Sequence, residues 1–394
     1  MYTRYCPLLI TFIATLTLTA CQSTSEQAKY QLAPMNLLDT QGFKVYAVES
    51  QEEIFRLDPE LNAHLDAMML RPLDGLSKAK RLLNFLMDNG DASLSYQSGA
   101  NLTASEAYHS QNANCLSLSI LAYSIAQKMG LQTQFQRVLI PEYWDQSQGY
   151  SLLTGHVNLK VVKKRERSNA VVSIQYNAEE SLTVDFDPNS RQQRFRVVPI
   201  SKERITAMYY NNKGAKALLD HDLDSAFSYF KAAVDIDTSY SGAWGNLGVL
   251  LRVSNHLSEA EQAYQYAITL DANDTAYGNL ALLYYLTNRE ELAKPIEARL
   301  AAKRDSNPYY HILLGNEAFD NADYSLALAE YRKARSLDSS LHNSYFGLAK
   351  TFYTLGDAEQ ARHYLQLALK HADFEHDKLK YDGKLRFLNA TAKN

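Results

Sequence analysis

From about residue 207 onward the chain repeats with a period close to 34 residues, and that periodicity leaves few architectures open. Small residues recur at Gly214, Gly248, Ala281, Gly315 and Ala349, with successive spacings of 34, 33, 34 and 34. A second small residue follows each by twelve positions, at Ala226, Ala260, Ala293, Ala327 and Ala361. Four positions later most units carry a bulky residue (Phe230, Tyr264, Tyr331, Leu365), and three after that an alanine (Ala233, Ala267, Ala334, Ala368). Each unit therefore reads as two helices that approach closely through their small residues. One such pair cannot bury its apolar face alone, so neighbours must stack. Five pairs over residues 206–376 are expected, followed by a capping helix and tail over 377–394, with Lys378 to Leu388 amphipathic and polar on its outer side. The third unit departs from the pattern: Glu297 and Leu300 stand in the places of the aromatic and the alanine, and Pro295 predicts a second helix that is kinked or begins late.

The motif Ala243-Trp244-Gly245-Asn246-Leu247-Gly248, echoed in Ser344-Tyr345-Phe346-Gly347-Leu348-Ala349, resembles the tetratricopeptide repeat. The usual proline near the end of each unit is mostly replaced, by Thr238, Ala272 and Ser339, although Pro308 opens the fourth unit. The resemblance implies an all-α solenoid whose concave surface takes a protein or peptide partner, and binding rather than chemistry. Tyr209, Tyr210, Tyr284, Tyr285, Tyr309, Tyr310 and Tyr345 either line that groove or pack between helices, the latter being where the family places bulky side chains.

At 394 residues the chain exceeds what one hydrophobic core usually supports, so a second domain precedes the array. A net charge of −4 gives no sign of a nucleic-acid partner. The one basic cluster, Lys163-Lys164-Arg165-Glu166-Arg167, lies between β-rich runs at Val157–Val162 and Val171–Tyr176 and reads as a solvated hairpin loop. Arg4 and an apolar stretch from Leu8 to Ala20 have the form of a cleaved export signal over residues 1–20. The sequence Leu18-Thr19-Ala20-Cys21 resembles a bacterial lipobox, against the alternative of an ordinary signal with a chance cysteine. The resemblance implies lipidation at Cys21, a tethered N-terminus over 21–40 and, with Gln22 rather than aspartate next, anchoring at the periplasmic face of the outer membrane. Of three cysteines, Cys6 then leaves with the signal and Cys21 is acylated, so Cys115 has no intrachain partner. In an oxidising compartment a lone thiol is either buried and inert or used.

Use is suggested by what surrounds it. Cys115 opens an apolar helix, Leu116 to Met129, that Gly130 terminates; His156 follows in Gly155-His156-Val157-Asn158-Leu159 and Asp185 in Thr183-Val184-Asp185-Phe186-Asp187-Pro188. A helix is also expected over Leu65 to Leu86, broken near Pro72, and strands at Thr133–Ile140, His156–Val162, Val171–Tyr176, Leu182–Phe186 and Phe195–Val198. Helices on a mainly antiparallel sheet make an α+β domain over 41–205. A thiol at a helix N-terminus meets the positive end of the macrodipole, which favours thiolate, and an imidazole can return its proton to a leaving amine. A carboxylate on the far ring nitrogen fixes the tautomer. Asp185 and Asp187 share a strand face at i and i+2, and Asp185, closing the run Leu182-Thr183-Val184, is the favoured partner. The backbone N–H of Cys115 with a side chain from Gln111 or Asn112 would supply oxyanion donors.

The order helix cysteine, strand histidine, strand aspartate resembles the transglutaminase-like fold, a relative of papain-type cysteine peptidases, over roughly residues 75 to 200. The resemblance implies a Cys115–His156–Asp185 peptidase, amidase or acyltransferase working through a thioester. A non-catalytic scaffold acting through its repeats is the alternative, and peptidoglycan stem peptides are a further substrate class. No metal or cofactor is called for: His109 and Cys115 lack the spacing of a zinc site, and no phosphate loop or dinucleotide fingerprint occurs.

Overall fold

The computed structural model describes residues 33–39, 42–69, 77–78, 81, 95–96, 100–110, 112–147, 150–162, 181–186, 195–372 and 375–391. After a 3-10 turn at Met35–Asp39 the chain runs extended to Ser50, where a capping box opens α1 (Gln51–Phe55): Ser50 accepts from the Glu53 N–H, and Glu53 reaches back to the Ser50 N–H. Asp58 caps and Pro59 begins α2 (Pro59–Met68). The helix expected over Leu65 to Leu86 with a break near Pro72 is seen as far as the described residues go: α2 covers Leu65 and ends before Pro72, and Ser77, Lys78 and Arg81 beyond it are helical. It starts earlier than expected because Asp58-Pro59 is a stronger start signal than the apolar periodicity that follows. The strand β1 (Ser95–Tyr96) pairs in parallel with β2 (Asn112–Ala113), with α3 (Ala104–His109) between them. Next come α4 (Cys115–Lys128), β3 (Gln132–Ser147), β4 (Tyr150–Val162), β5 (Ser181–Val184) and β6 (Val197–Ile200).

Helix α4 is buried along nearly its whole circumference, which is why its sequence is apolar almost throughout. It ends in a Schellman motif, with Gly130 at φ +71 and Leu131 N–H reaching the Ala126 carbonyl. The sheet is antiparallel in the order β5-β4-β3-β6. The two central strands are longer than the sequence pattern suggests. β3 and β4 form one long hairpin, whose register runs from Gln132↔Val162 to Val138↔His156 and resumes at Tyr143↔Thr154. Four residues of β3, 139–142, thus face the single residue Gly155, a bulge beside His156. The basic cluster at Lys163 and the run at Val171 lie outside the described residues.

The C-terminal half consists of five helix pairs: α5 (Lys202–Leu219) with α6 (Leu223–Ile236), α7 (Ser241–Val253) with α8 (Leu257–Asp271), α9 (Asp274–Leu286) with α10 (Glu290–Arg304), α11 (Pro308–Asp320) with α12 (Tyr324–Leu337), and α13 (His342–Thr354) with α14 (Ala358–His371). A last helix, α15 (Glu375–Thr391), follows. A Cβ built on Gly214, Gly248 or Gly315 would lie 2.7, 2.6 and 2.6 Å from the ring of Phe230, Tyr264 or Tyr331. Where the second helix offers Glu297 or Leu365 instead of a ring, the small residue is Ala281 or Ala349, so its size tracks what must fit against it. The second helix of the third unit does not begin late: α10 starts at Glu290 and runs through Pro295. Pro295 sits near the helix start, so its missing N–H leaves a single early carbonyl, that of Glu291, without its intrahelical donor. Tyr209, Tyr210, Tyr284 and Tyr345 are buried between helices, whereas Tyr285, Tyr309 and Tyr310 are half-buried.

The extended residues 43–50 lie along the first pair. Phe43 stacks on Phe227 at 4.8 Å, and the N–H groups of Lys44 and Tyr46 donate to Asp224 and Ser228. Glu49 accepts from Tyr209 and Tyr229 and pairs with Lys213, while Tyr210 donates to its carbonyl. The described residues from Ala33 onward form one compact unit. None of their helices is long and apolar enough to cross a membrane.

Candidate active site

The residue before the thiol fixes it. Asn114 is the N-cap of α4: its Oδ1 accepts from the Ser117 N–H at 2.8 Å, which holds the first turn and places Cys115 at position N1. The Ser117 hydroxyl, fully buried, donates to the Ala100 carbonyl and accepts from the Leu102 N–H, clamping the loop 100–103 onto the helix start. Asn101 from that loop accepts from Asn114 Nδ2 at 2.8 Å and from Asn212 Nδ2 of α5 at 3.0 Å. The cap of the cysteine helix is thereby tied to the first helix of the array.

Alternation along β4 puts His156 and Asn158 on one face of the strand. Val184 pairs with Leu159, so Asp185, the next residue, arrives beside them. His156 Nε2 lies 2.8 Å from Asp185 Oδ1, and Asn158 Nδ2 donates to Asp185 Oδ2 at 3.0 Å. Both carboxylate oxygens are therefore fixed. The same imidazole is hydrogen-bonded to the Cys115 side chain, and the thiol also points at the Gly155 carbonyl, 3.9 Å away. Cys115 is 7% exposed and His156 2%. Burial disfavours the charged ring, but the Asp185 carboxylate and then the Cys115 sulfur outweigh it and lift His156 to about 10. A protonated imidazole held between a carboxylate and a sulfur is the charge arrangement of an activated thiol.

Cys115, His156 and Asp185 are thus brought together from three separate elements. Asp187, Gln111 and Cys21 lie outside the described residues, as do Cys6 and the export segment; Asn112 pairs through its backbone with Ser95. The sequence reasoning assigned no role to Asn158 or Asn101. Asn158 was findable as the polar neighbour two residues beyond His156 on the same strand face, whereas nothing local marks Asn101. Among the described residues, no group of three or more His, Cys, Asp or Glu side chains could hold a metal ion.

Residues 342–371, the fifth helix pair, match the family model described as tetratricopeptide repeat. That pair is a tetratricopeptide repeat, and the four pairs before it share its two-helix build and its period of about 34 residues. An uncharacterized protein of Methanocaldococcus jannaschii is 28% identical over 69 residues, covering 18% of this chain and 80% of that protein. Among solved structures, a chain of the Cut9–Hcn1 hetero-tetramer of APC/C is similar at 17% identity with a TM-score of 0.28, covering 48% of this chain and 37% of that one. Pseudomonas aeruginosa pilF is similar at 18% identity and a TM-score of 0.28, covering 48% and 90%. YrrB, titled a TPR protein with an unusual peptide-binding site, is similar at 17% identity and a TM-score of 0.25, covering 45% and 92%. The chain spans little more than a third of the Cut9–Hcn1 chain.

Proposed function

We propose that the protein binds a protein partner through its tetratricopeptide repeats and carries, N-terminal to them, a thiol acyl-transfer site of transglutaminase-like kind. The observation that carries the second half is the hydrogen-bonded line Asn158–Asp185–His156 ending at Cys115 on a helix N-terminus. In this reading Cys115 thiolate attacks the carbonyl carbon of an amide, forming a C–S bond. The C–N bond then breaks, and the amine leaves with the proton delivered by the His156 imidazolium. Water, or an acceptor amine, attacks the thioester with His156 as base, releasing the acid or the new amide and restoring the thiol. The Cys115 backbone N–H at the start of α4 is a donor for the oxyanion. Anchoring through lipidated Cys21 at the periplasmic face of the outer membrane completes the proposal. It rests on the lipobox-like sequence, and its check is the mass of the mature N-terminus.

An ester burst tests the chemistry. With p-nitrophenyl acetate in excess, the proposal predicts a burst of p-nitrophenolate stoichiometric with protein and lost in Cys115→Ala. Absence of any burst from the wild-type protein would contradict it. The second reading, an adaptor that acts through its repeats alone, is favoured by the family match falling within the array. It predicts partner capture by the Cys115→Ala variant at wild-type strength together with no burst from either form.

A further inference from the structure

The β3–β4 hairpin outruns its sheet. β6 pairs with β3 only from Phe135 to Val138, and β5 with β4 only from Leu159 to Val162. Past the bulge at Gly155 the hairpin continues as a ribbon in which 143–147 pair with 150–154. At roughly 3.3 Å per residue its outer end lies up to about 30 Å from Val138. Two strands alone are marginal in water, so such a ribbon needs support. The array supplies it, since β3 contacts α11, the first helix of the fourth pair. β6 runs almost directly into α5, so the sheet end of β3 lies at the first pair and its outer end is the part that reaches the fourth. First helices of successive pairs touch, α5 with α7, α7 with α9 and α11 with α13, and so line one side of the array. Asn246 bonds Asn211 and Lys350 bonds Asn316 between them. The ribbon thus lies against the helices where an array of this kind offers its surface to a partner.

The other end of the ribbon begins at the thiol. The Gly155 carbonyl lies 3.9 Å from the Cys115 sulfur, His156 is the next residue, and Cys115 and His156 are both buried. As it stands the site is shut. The bulge, where 139–142 face Gly155 alone, is a place at which the ribbon can bend, and a Cβ on Gly155 would meet nothing within 4 Å. Contact with α11 and closure over Cys115 therefore belong to one element. The outer part of β3 carries Glu142, Tyr143, Trp144 and Asp145, and the Lys350 ammonium stands beside α11 at Asn316. We propose that the ribbon is a built-in occupant of the array, and that a partner protein presenting an extended segment of aromatic and acidic residues displaces it from α11 and opens Cys115 to solvent. Cys115 serves here only as a reporter of access, so the inference stands whether or not the thiol performs acyl transfer.

The probe is a synthetic peptide of residues 139–154, added in excess to the full-length protein while iodoacetamide labels Cys115 at pH 9. An ordinary thiol is already largely ionised at that pH, so the rate reports access rather than activation by His156, and its outcome is separate from that of the proposed chemistry. Saturating peptide is expected to speed labelling about tenfold or more, and a peptide with Tyr143→Ala and Trp144→Ala to do so far less. A chain with Gly-Gly in place of residues 143–154 should bind the peptide at least about tenfold more tightly than the full-length protein does, because the tethered ribbon competes at an effective concentration on the order of millimolar. A photo-crosslinker at position 147 of the peptide should mark residues 308–320 of the trimmed chain. Labelling unchanged at millimolar peptide, equal affinity for the two chains, or crosslinks confined to other helices would each overturn the proposal. Should far-UV circular dichroism show the trimmed chain unfolded, the labelling of the full-length protein decides by itself.

Discussion

At the scale of single residues the site depends on Asp185 having both oxygens held. Asn158 touches no reacting atom in this account; it is a positioning residue that stops the carboxylate rotating away from His156. Asn158→Leu is expected to slow alkylation of Cys115 by iodoacetamide at pH 6 about tenfold while leaving the alkylation of the unfolded chain unchanged; an unaltered rate in the folded protein would remove Asn158 from the account. The charge on His156 also bears on stability. Its folded value is raised above 6.5, so the contribution of the imidazolium is fully present below about 6.5 and is lost as pH rises through about 10. The difference in melting temperature between wild type and His156→Gln should therefore be largest near pH 6 and shrink above pH 10. A difference that instead grew with pH would mean that the ring is neutral in the folded protein.

The elements of the array obey a rule about turns that few residue names disclose. In every pair the residue after the first helix's C-cap is left-handed: His221, Asn255, Asn288, Ala322 and Gly356 have φ of 61, 64, 56, 60 and 83°. The next N–H in each case returns to a carbonyl in the last turn, as Asp222 does to Ala217 and Asp323 to Ala318. Glycine and asparagine adopt this conformation readily and alanine does not. Ala322→Gly is accordingly expected to stabilise the protein by about 0.5–1 kcal/mol in urea unfolding, and a loss of stability would contradict the turn geometry. The opposite sign holds at Gly347, where an added methyl would collide with the Tyr331 ring of the preceding unit. Gly347→Ala should cost about 1–3 kcal/mol, and Tyr331→Leu in the same chain should recover part of it.

Across the whole molecule, residues 43–50 bind the array as a strap, and Glu49 is its fastening. Burial works against the Glu49 carboxylate, but its backbone N–H, Lys213 and Tyr229 hold it below the ordinary glutamate range. It contributes stability above about 4.5 that is lost as pH falls through its folded value. Glu49→Ala, which leaves the buried Tyr209 hydroxyl without this acceptor, should lower the unfolding free energy by about 2 kcal/mol at pH 7. A change within about 0.5 kcal/mol would mean the strap is ornamental. None of this was legible in the sequence, because the contacts join residues some 160 to 180 positions apart. The array itself was legible, since stacking makes each unit repeat the same small and bulky residues. The order of Cys115, His156 and Asp185 pointed to their meeting, which the structure shows; the chemistry proposed for them is a separate matter. What the residues could not disclose was the reach of the β3–β4 hairpin and the bond from Asn101 to the first helix of the array, both of which are set by partners distant in the chain.

The central claim is that Cys115 and His156 act as a charged pair. It is tested most directly by the rate of iodoacetamide labelling of Cys115 in the folded protein at pH 6, compared between wild type and His156→Ala. The account predicts ready labelling of the wild type and a fall of at least about tenfold on substitution, since the imidazolium is the sulfur's charge partner in the proposed chemistry. Equal rates in the two proteins would contradict it, leaving Cys115 a buried thiol and the repeats as the working part of the molecule.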